Sequence, residues 1–401
     1  MSFLIRISRA RLLPNIRAIC LSFFLCSLLL SSACGSRVGT PMRPINATPT
    51  VTTGITNSSP ISVTSTATTG ITNSNPIPIF AYYYIWFDPS SWAKDKIDYP
   101  LLGHYRSDDP AVIRQHIEWA KGAGIRAFIV SWKSTDKLDP RLEQLIEIAK
   151  EEDFKLAINY EGLDEQRNPL PITQIAADFD YFIAHYANQS VFNVYNKPLV
   201  IWSGTWKFSA QDIATVTQNR RDKLLILASD RDVAGYQRLA SLVDGDAYYF
   251  SSVDPDTFPA YLGKLTAMGR AIHSHGGLWI APAAPGFDSR LLGGTTVVDR
   301  KDGATLRTEF NVAMQSSPDA IGLISWNEFS ENSYIEPSIN YGKRYLDVLT
   351  SITQAQVPAT NNFDSSDPGS GPEAFAVKGA ALGIVVVLVV FGLIVVARRH
   401  G

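Results

Sequence analysis

Between residues 77 and 354, short runs rich in β-branched and aromatic residues alternate eight times with longer, charged, amphipathic ones. The short runs fit buried strands and the long ones fit helices with one apolar face. Strands are expected near 78–84, 125–132, 154–160, 198–203, 223–229, 245–251, 277–282 and 319–326. Helices are expected near 109–123, 140–152, 173–188, 209–220, 231–242, 257–274, 304–316 and 341–353. Eight strands each followed by a helix, in this length, point to an α/β fold of the (β/α)8 TIM barrel type. An open doubly wound sheet has the same alternation, but no Gly-rich phosphate turn follows the first strand.

The flanks cannot build a core. Residues 35–76 are rich in Ser, Thr, Pro and Asn, and Thr52-Thr53-Gly54-Ile55-Thr56-Asn57-Ser58 recurs there as Thr68-Thr69-Gly70-Ile71-Thr72-Asn73-Ser74. This segment and residues 355–377 read as disordered stalks. Residues 1–34 place Arg6, Arg9, Arg11 and Arg17 before an apolar stretch from Ala18 to Leu30 and then Ser31-Ser32-Ala33-Cys34. That is the order of a secretory signal peptide. Cys34 after Ser-Ala resembles a bacterial lipoprotein cleavage site with an acylated cysteine; a plain signal or an uncleaved anchor is the alternative. Gly379 to Ala397 carries no charge, and Arg398-Arg399-His400 follows it. As a helix that run covers about 28 Å, enough to cross a bilayer, with the basic cluster kept in the cytoplasm. Residues 378–401 are therefore expected to be a transmembrane helix and short tail. The expected location is the cell membrane, with 77–354 on the extracytoplasmic side. All three cysteines (Cys20, Cys26, Cys34) lie in the leader, so the exported body has no disulfide to rely on. A formal net charge of −2, with no basic run in the body, argues against nucleic acid.

In a barrel of this kind, chemistry gathers where strands end at their C-terminal side. Those ends read Tyr84-Ile85-Trp86-Phe87, with Gly103-His104-Tyr105 on the loop beyond, then Ser131-Trp132-Lys133, Tyr160-Glu161 and Trp202-Ser203. Ser229-Asp230-Arg231, Tyr248-Tyr249-Phe250, Pro282 and Trp326-Asn327-Glu328 complete the circuit. Phe329-Ser330-Glu331 and Glu336 follow the last strand, so three glutamates leave one buried run. Rings that stack on apolar sugar faces, beside carboxyls that supply acid and base, are what glycosidic-bond chemistry requires. Candidate substrate contacts are Tyr84, Trp86, His104, Tyr105, Trp132, Glu161, Tyr249, Trp326 and Asn327. Asp108-Asp109-Pro110 reads as the N-cap and Pro start of the first long helix. His273, His275 and Asp288 lie toward the wrong rim for a metal site, and neither metal nor cofactor is expected.

Five segments carry a resemblance: Tyr83-Tyr84-Ile85-Trp86-Phe87, Gly103-His104-Tyr105-Arg106-Ser107-Asp108-Asp109-Pro110, Phe128-Ile129-Val130-Ser131-Trp132, Asn327-Glu328-Phe329-Ser330-Glu331 and Ile335-Glu336-Pro337. In this order, across 77–354, they resemble the endo-α-mannosidases of glycoside hydrolase family 99. The resemblance implies a (β/α)8 barrel and a retaining α-glycosidase. It implies that Glu328 deprotonates the sugar 2-hydroxyl, and that Glu331 protonates the leaving oxygen and later activates water. The intermediate would be a 1,2-anhydro sugar, and Glu336 is left to support the loop. Phe329-Ser330 stand where the family usually has Trp-His, Asn332-Ser333-Tyr334 where it has Gly-Thr-Gln, and Ile85 replaces a proline. This fill resembles related domains found beside polysaccharide-synthesis enzymes. Three functions are open: a surface-tethered hydrolase of α-linked mannose- or glucose-type glycans, a non-catalytic glycan-binding module, and a polysaccharide-assembly component. The partner is a glycan in each.

Overall fold

The structure, a computed structural model, describes residues 76–356. The expected leader with Cys34, the stalks except their barrel-side edges, and the 378–401 span lie outside the described residues. Among the described residues, no helix is long and apolar enough to cross a membrane.

Strands β1 (Ile79–Tyr84), β2 (Ile125–Trp132), β3 (Lys155–Glu161), β4 (Leu199–Ser203), β5 (Leu225–Ala228), β6 (Gly245–Ala247) and β7 (Leu278–Ala283) pair in parallel, each with the next. After β7 a small antiparallel pair, β8 (Phe287–Asp288) and β9 (Val297–Val298), stands apart. The last barrel strand, β10 (Ala320–Leu323), pairs with both β7 and β1 and closes the ring. Between β1 and β2 lie a single turn, α1 (Pro89–Trp92), and the long helix α2 (Pro110–Gly122). The remaining connections are α3 (Leu138–Glu151), α4 (Ile172–His185), α5 (Ala210–Thr217), α6 (Val233–Leu239), α7 (Tyr261–Ser274) and α8 (Ala304–Gln315), and α9 (Arg344–Gln356) follows β10. The expected eight-fold α/β alternation is the observed barrel. Asp109 caps α2 by accepting from the Ala111 amide, with Pro110 at the first position, as its chemistry suggests.

Alternate side chains of each strand fill the barrel: Phe80, Tyr82 and Tyr84 from β1, Ala127 and Ile129 from β2, Ala157 from β3, Ile201 from β4, Leu227 from β5 and Ile280 from β7 belong to one buried cluster. The residues between them point outward to the helices. This two-residue alternation decides which strand-end side chains reach the cleft.

Two strands are shorter than expected. β6 ends at Ala247 rather than 251, and β10 at Leu323 rather than 326. Beyond Leu323 the Ile324 amide still donates to Ala283 O at 2.8 Å and Trp326 to Tyr82 O at 2.7 Å. Between them the Ser325 amide turns to Ser333 O at 2.6 Å, so the chain leaves the ladder to build a loop.

Helix α8 buries Glu309 completely, and neither carboxyl oxygen meets a hydrogen-bond partner among the described residues. Burial, then the charge of Asp254, raises its pKa well above the usual carboxylate value. A carboxyl with a raised folded pKa adds no pH-dependent cost below its unfolded value, and that cost grows as pH rises from there to the raised value. Glu309→Met is therefore expected to stabilise the protein at pH 8, and by about 1–3 kcal/mol more there than near pH 4, where the protonated carboxyl still lacks a partner. Urea unfolding at the two pH values measures this; equal stability at both would refute it.

Candidate active site

The cleft is floored by the inward-pointing residues at the strand ends. Tyr84, last in β1, shares a hydrogen bond of 2.7 Å between its hydroxyl and that of Tyr249, just past β6. The Trp86 ring lies 4.4 Å from that of Tyr84, and Tyr249 meets Tyr82 edge-on at 4.9 Å. From β3, Glu161 accepts from Asn159 Nδ2 at 2.9 Å and from Ser131 Oγ of β2. Burial raises the Glu161 pKa, and the Ser131 hydroxyl, Lys133 and Arg167 oppose it.

Over this floor runs the segment that follows β10. It is fastened within itself: Glu328 N donates to Ser325 Oγ at 2.8 Å, Ser330 N to Glu328 Oε1 at 2.9 Å, and Glu336 N to Trp326 O at 2.8 Å. Phe329 is buried, stacked on Tyr334 at 4.0 Å and met edge-on by Trp92 of α1 at 5.6 Å. The Tyr334 hydroxyl donates to Asp98 at 2.6 Å. Arg300 reaches in from the β9–α8 connection and donates through Nη2 to Asn332 O at 2.9 Å and Tyr334 O at 2.8 Å. Asn332 takes a positive φ of 50°, a conformation its short amide side chain tolerates. A loop tied at so many points holds its carboxyls where they are, as a site for charged intermediates needs.

Those carboxyls are Glu328, 7% exposed, and Glu331. Burial first, and then the charge of Glu331, push the Glu328 pKa up to about 8, opposed by the Ser330 amide and Lys96. Burial raises Glu331 as well, opposed by Arg167. With its pKa near 8, Glu328 keeps its proton near neutrality beside the Glu331 charge that helps to raise it. The Tyr84 and Tyr249 hydroxyls are kept protonated by burial and by the charges of both glutamates. The arrangement is two carboxyls of raised proton affinity beside two neutral hydroxyl donors and an aromatic wall.

The sequence pattern of Glycosyl hydrolase family 99 matches residues 90–357. The chain belongs to this family. A glycoprotein endo-alpha-1,2-mannosidase-like protein of Mus musculus is 25% identical over 285 residues, covering 63% of this chain and 61% of that protein. The glycoprotein endo-alpha-1,2-mannosidase of Rattus norvegicus is 22% identical over 263 residues, covering 60% and 56%. The chain thus spans about three fifths of the length of the curated relatives it matches. The GH99 endo-alpha-mannosidase from Bacteroides thetaiotaomicron, in complex with BIS-TRIS-Propane, superposes with a TM-score of 0.62 at 20% identity, covering 70% of this chain and 97% of that one. A second structure of that Bacteroides thetaiotaomicron enzyme superposes with a TM-score of 0.61 at 19% identity, with the same coverage. The shared barrel fold is what these superpositions show.

Within this family-99 barrel the expected site residues separate into groups. Trp86 and Tyr249 contact Tyr84, both tyrosines feel the charges of Glu328 and Glu331, and Arg167 acts on Glu161 and Glu331 alike. His104 is exposed on the first long loop, its ring 5.1 Å from that of Tyr99. Trp132 does not line the cleft: its indole N–H donates to Asp139 of α3 at 2.9 Å, and its ring packs on Phe182 and Tyr186. The physical reason is parity, because Ser131 points inward and its neighbour must point out. Trp326 is likewise fully buried on the outer side, against Phe128 and His116. Tyr105 and Asn327 lie behind the loop; the Asn327 amide pairs with both backbone groups of Tyr84, at 2.8 and 3.0 Å. Lys96, Arg167, Arg300 and Asp98 were not singled out in the sequence, where none belongs to a motif. Trp132→Ala is expected to cost on the order of 3 kcal/mol of stability while leaving glycan affinity unchanged. Denaturant unfolding and a glycan titration test the two halves, and weakened binding in a folded variant would return Trp132 to the cleft.

Proposed function

We propose that this family-99 protein is a membrane-tethered, extracytoplasmic retaining glycoside hydrolase acting on α-linked mannose- or glucose-type glycans. The observation that carries the reading is the pair of Glu328, buried, and Glu331, half-buried, on a loop tied at many points beyond the C-terminal end of β10. The named mouse and rat relatives support the sugar class.

In the proposed reaction the Glu328 carboxylate takes the proton of the sugar 2-hydroxyl. The freed O2 electron pair forms a bond to C1 while the bond from C1 to the leaving oxygen breaks, and that oxygen takes the proton of Glu331. The product half is a 1,2-anhydro sugar. Glu331, now a carboxylate, removes a proton from water; the water oxygen attacks C1, the bond from C1 to O2 breaks, and O2 recovers its proton from Glu328. Two inversions at C1 give retention. Glu328, pushed up to about 8, holds its proton near neutrality, whereas the reaction needs a carboxylate there and the proton on Glu331. A bound sugar reverses that preference, since its 2-hydroxyl donates to an ionised Glu328 and its glycosidic oxygen accepts from a protonated Glu331.

The decisive experiment incubates the protein with defined α-mannosides and α-glucosides and follows the first-formed anomer by NMR. The expected product is the α-anomer; binding without any cleavage would favour a glycan-binding module. The tethering part rests on the apolar run 379–397 and the leader before Cys34. Fatty-acid labelling that disappears in Cys34→Ser, and barrel accessibility to protease on whole cells, test it.

A further inference from the structure

Behind the loop, on the side away from the cleft, a run of buried polar side chains takes no part in the proposed reaction. Tyr83, the outward neighbour of Tyr84 on β1, places its hydroxyl 3.0 Å from His116 Nδ1 of α2. His116 Nε2 lies 3.0 Å from Glu336 Oε1, and the Tyr105 hydroxyl donates to Glu336 Oε2 at 2.9 Å. That same hydroxyl accepts from Asn327 Nδ2 at 3.3 Å. The His116 and Glu336 side chains have no exposure at all.

Asn327 and Glu336 sit at the two ends of the segment that contains Glu328 and Glu331. Tyr105 joins those ends through one oxygen. We propose that His116, Glu336 and Tyr105 form a clasp that fixes the 327–336 loop against β1, making His116 and Glu336 positioning residues for the Glu328–Glu331 pair. Stability alone does not account for it. A buried carboxyl–imidazole pair is costly to desolvate, and a well-packed apolar pair of similar volume is commonly neutral or better. What directional bonds add is a single position. The Asn327 side chain clamps Tyr84 through both its backbone groups, so the peptide entering Glu328 is held relative to the Tyr84–Tyr249 hydroxyls. The groups that act on Glu328 are Glu331, the Ser330 amide and Lys96, with Tyr84 and Tyr249 beside it. A slack loop admits water to Glu328 and lowers its affinity for the proton.

The test uses His116→Leu, which removes both bonds, and His116→Gln, whose amide N–H can reach Glu336. Tyr105→Phe removes only the bridging oxygen and serves if His116→Leu does not fold. Glu328 titration is read in the full-length protein by difference infrared spectroscopy of 13C-glutamate carboxyls, using Glu328→Gln as the blank. Turnover is read with 4-methylumbelliferyl α-mannobioside. His116→Leu is expected to titrate at Glu328 about one pH unit lower. Its kcat is expected to fall about 10- to 100-fold, as a small misplacement does, with KM held within about two-fold. His116→Gln is expected to restore most of both. The turnover arm rests on the hydrolase reading and the titration arm does not: an inert wild type defeats that reading alone. A folded His116→Leu or Tyr105→Phe with unchanged Glu328 titration overturns the clasp. So does an equal loss in the Gln and Leu variants that merely follows their melting temperatures.

Discussion

Glu328→Gln and Glu331→Gln are each expected to lower turnover of an α-glycoside by about 100- to 10,000-fold, the range that positioned acid–base groups supply. The substitutions keep shape and remove proton transfer, so circular dichroism should be unchanged. The two variants then separate on a glycosyl fluoride, whose leaving group needs no protonation. Glu331→Gln is expected to recover at least tenfold relative to its loss on an ordinary glycoside, whereas Glu328→Gln stays inactive because activation of the 2-hydroxyl is still missing. Recovery in Glu328→Gln instead would exchange the two roles, and unchanged hydrolysis of an ordinary glycoside in either variant would remove the assignment. Stability should move the other way. With its pKa pushed up to about 8 by burial and by Glu331, Glu328 costs little below its ordinary value. It costs progressively more as pH rises from there to about 8, and the cost levels off above. Glu328→Gln is accordingly expected to exceed wild type by on the order of 3 kcal/mol at pH 9 and to equal it near pH 4. A residue that costs the fold and is kept for chemistry has this signature.

Much of the barrel was legible because its signal is local and repeated. Eight apolar runs and eight amphipathic ones need no knowledge of what touches what, and the loop after β10 announced its glutamates directly. Side-chain direction was the weak point. Reaching a strand end is not the same as facing the cleft, because a strand sends successive residues to opposite sides. Ser131 and Trp132 show the consequence: the small serine hydrogen-bonds Glu161 inside, while the large indole packs among helices. Tyr83 and Tyr84 divide in the same way, one toward His116 and one toward Tyr249. Phe329, which stands where the family usually has Trp, is packed inside the loop between Tyr334 and Trp92. The residues that hold the loop were invisible for another reason. Asp98, His116 and Arg300 meet it across sequence separations of 236, 220 and 32 residues, and no spacing rule connects such partners.

Arg300 carries the second large expectation. Its guanidinium is buried and has no ion-pair partner among the described residues. It lies 4.4, 4.8 and 4.5 Å from the ring centres of Tyr334, Tyr341 and Tyr345, and its Nη2 donates to the carbonyls of Asn332 and Tyr334. Removing it leaves two buried carbonyls without a donor, at about 1–3 kcal/mol each, and takes a cation from three ring faces, at about 0.5–2 kcal/mol each. Losses of this kind overlap, so Arg300→Met is expected to cost about 3–5 kcal/mol in urea unfolding, a large share of the 5–15 kcal/mol typical of a domain. Arg300→Lys should recover only part, because an ammonium is a compact point charge and cannot stack as a planar guanidinium does. Asn332 and Tyr334 directly follow Glu331, so hydrogen exchange should rise first at 330–335, ahead of the barrel strands. Activity should fall in step with that local opening, since Glu331 rides on the released segment and so does the Ser330 amide that holds Glu328. A loss below about 1 kcal/mol, or exchange rising uniformly over the barrel, would mean that the loop is held by Ser325, Asp98 and its own turns, with Arg300 as mere filling between aromatic rings.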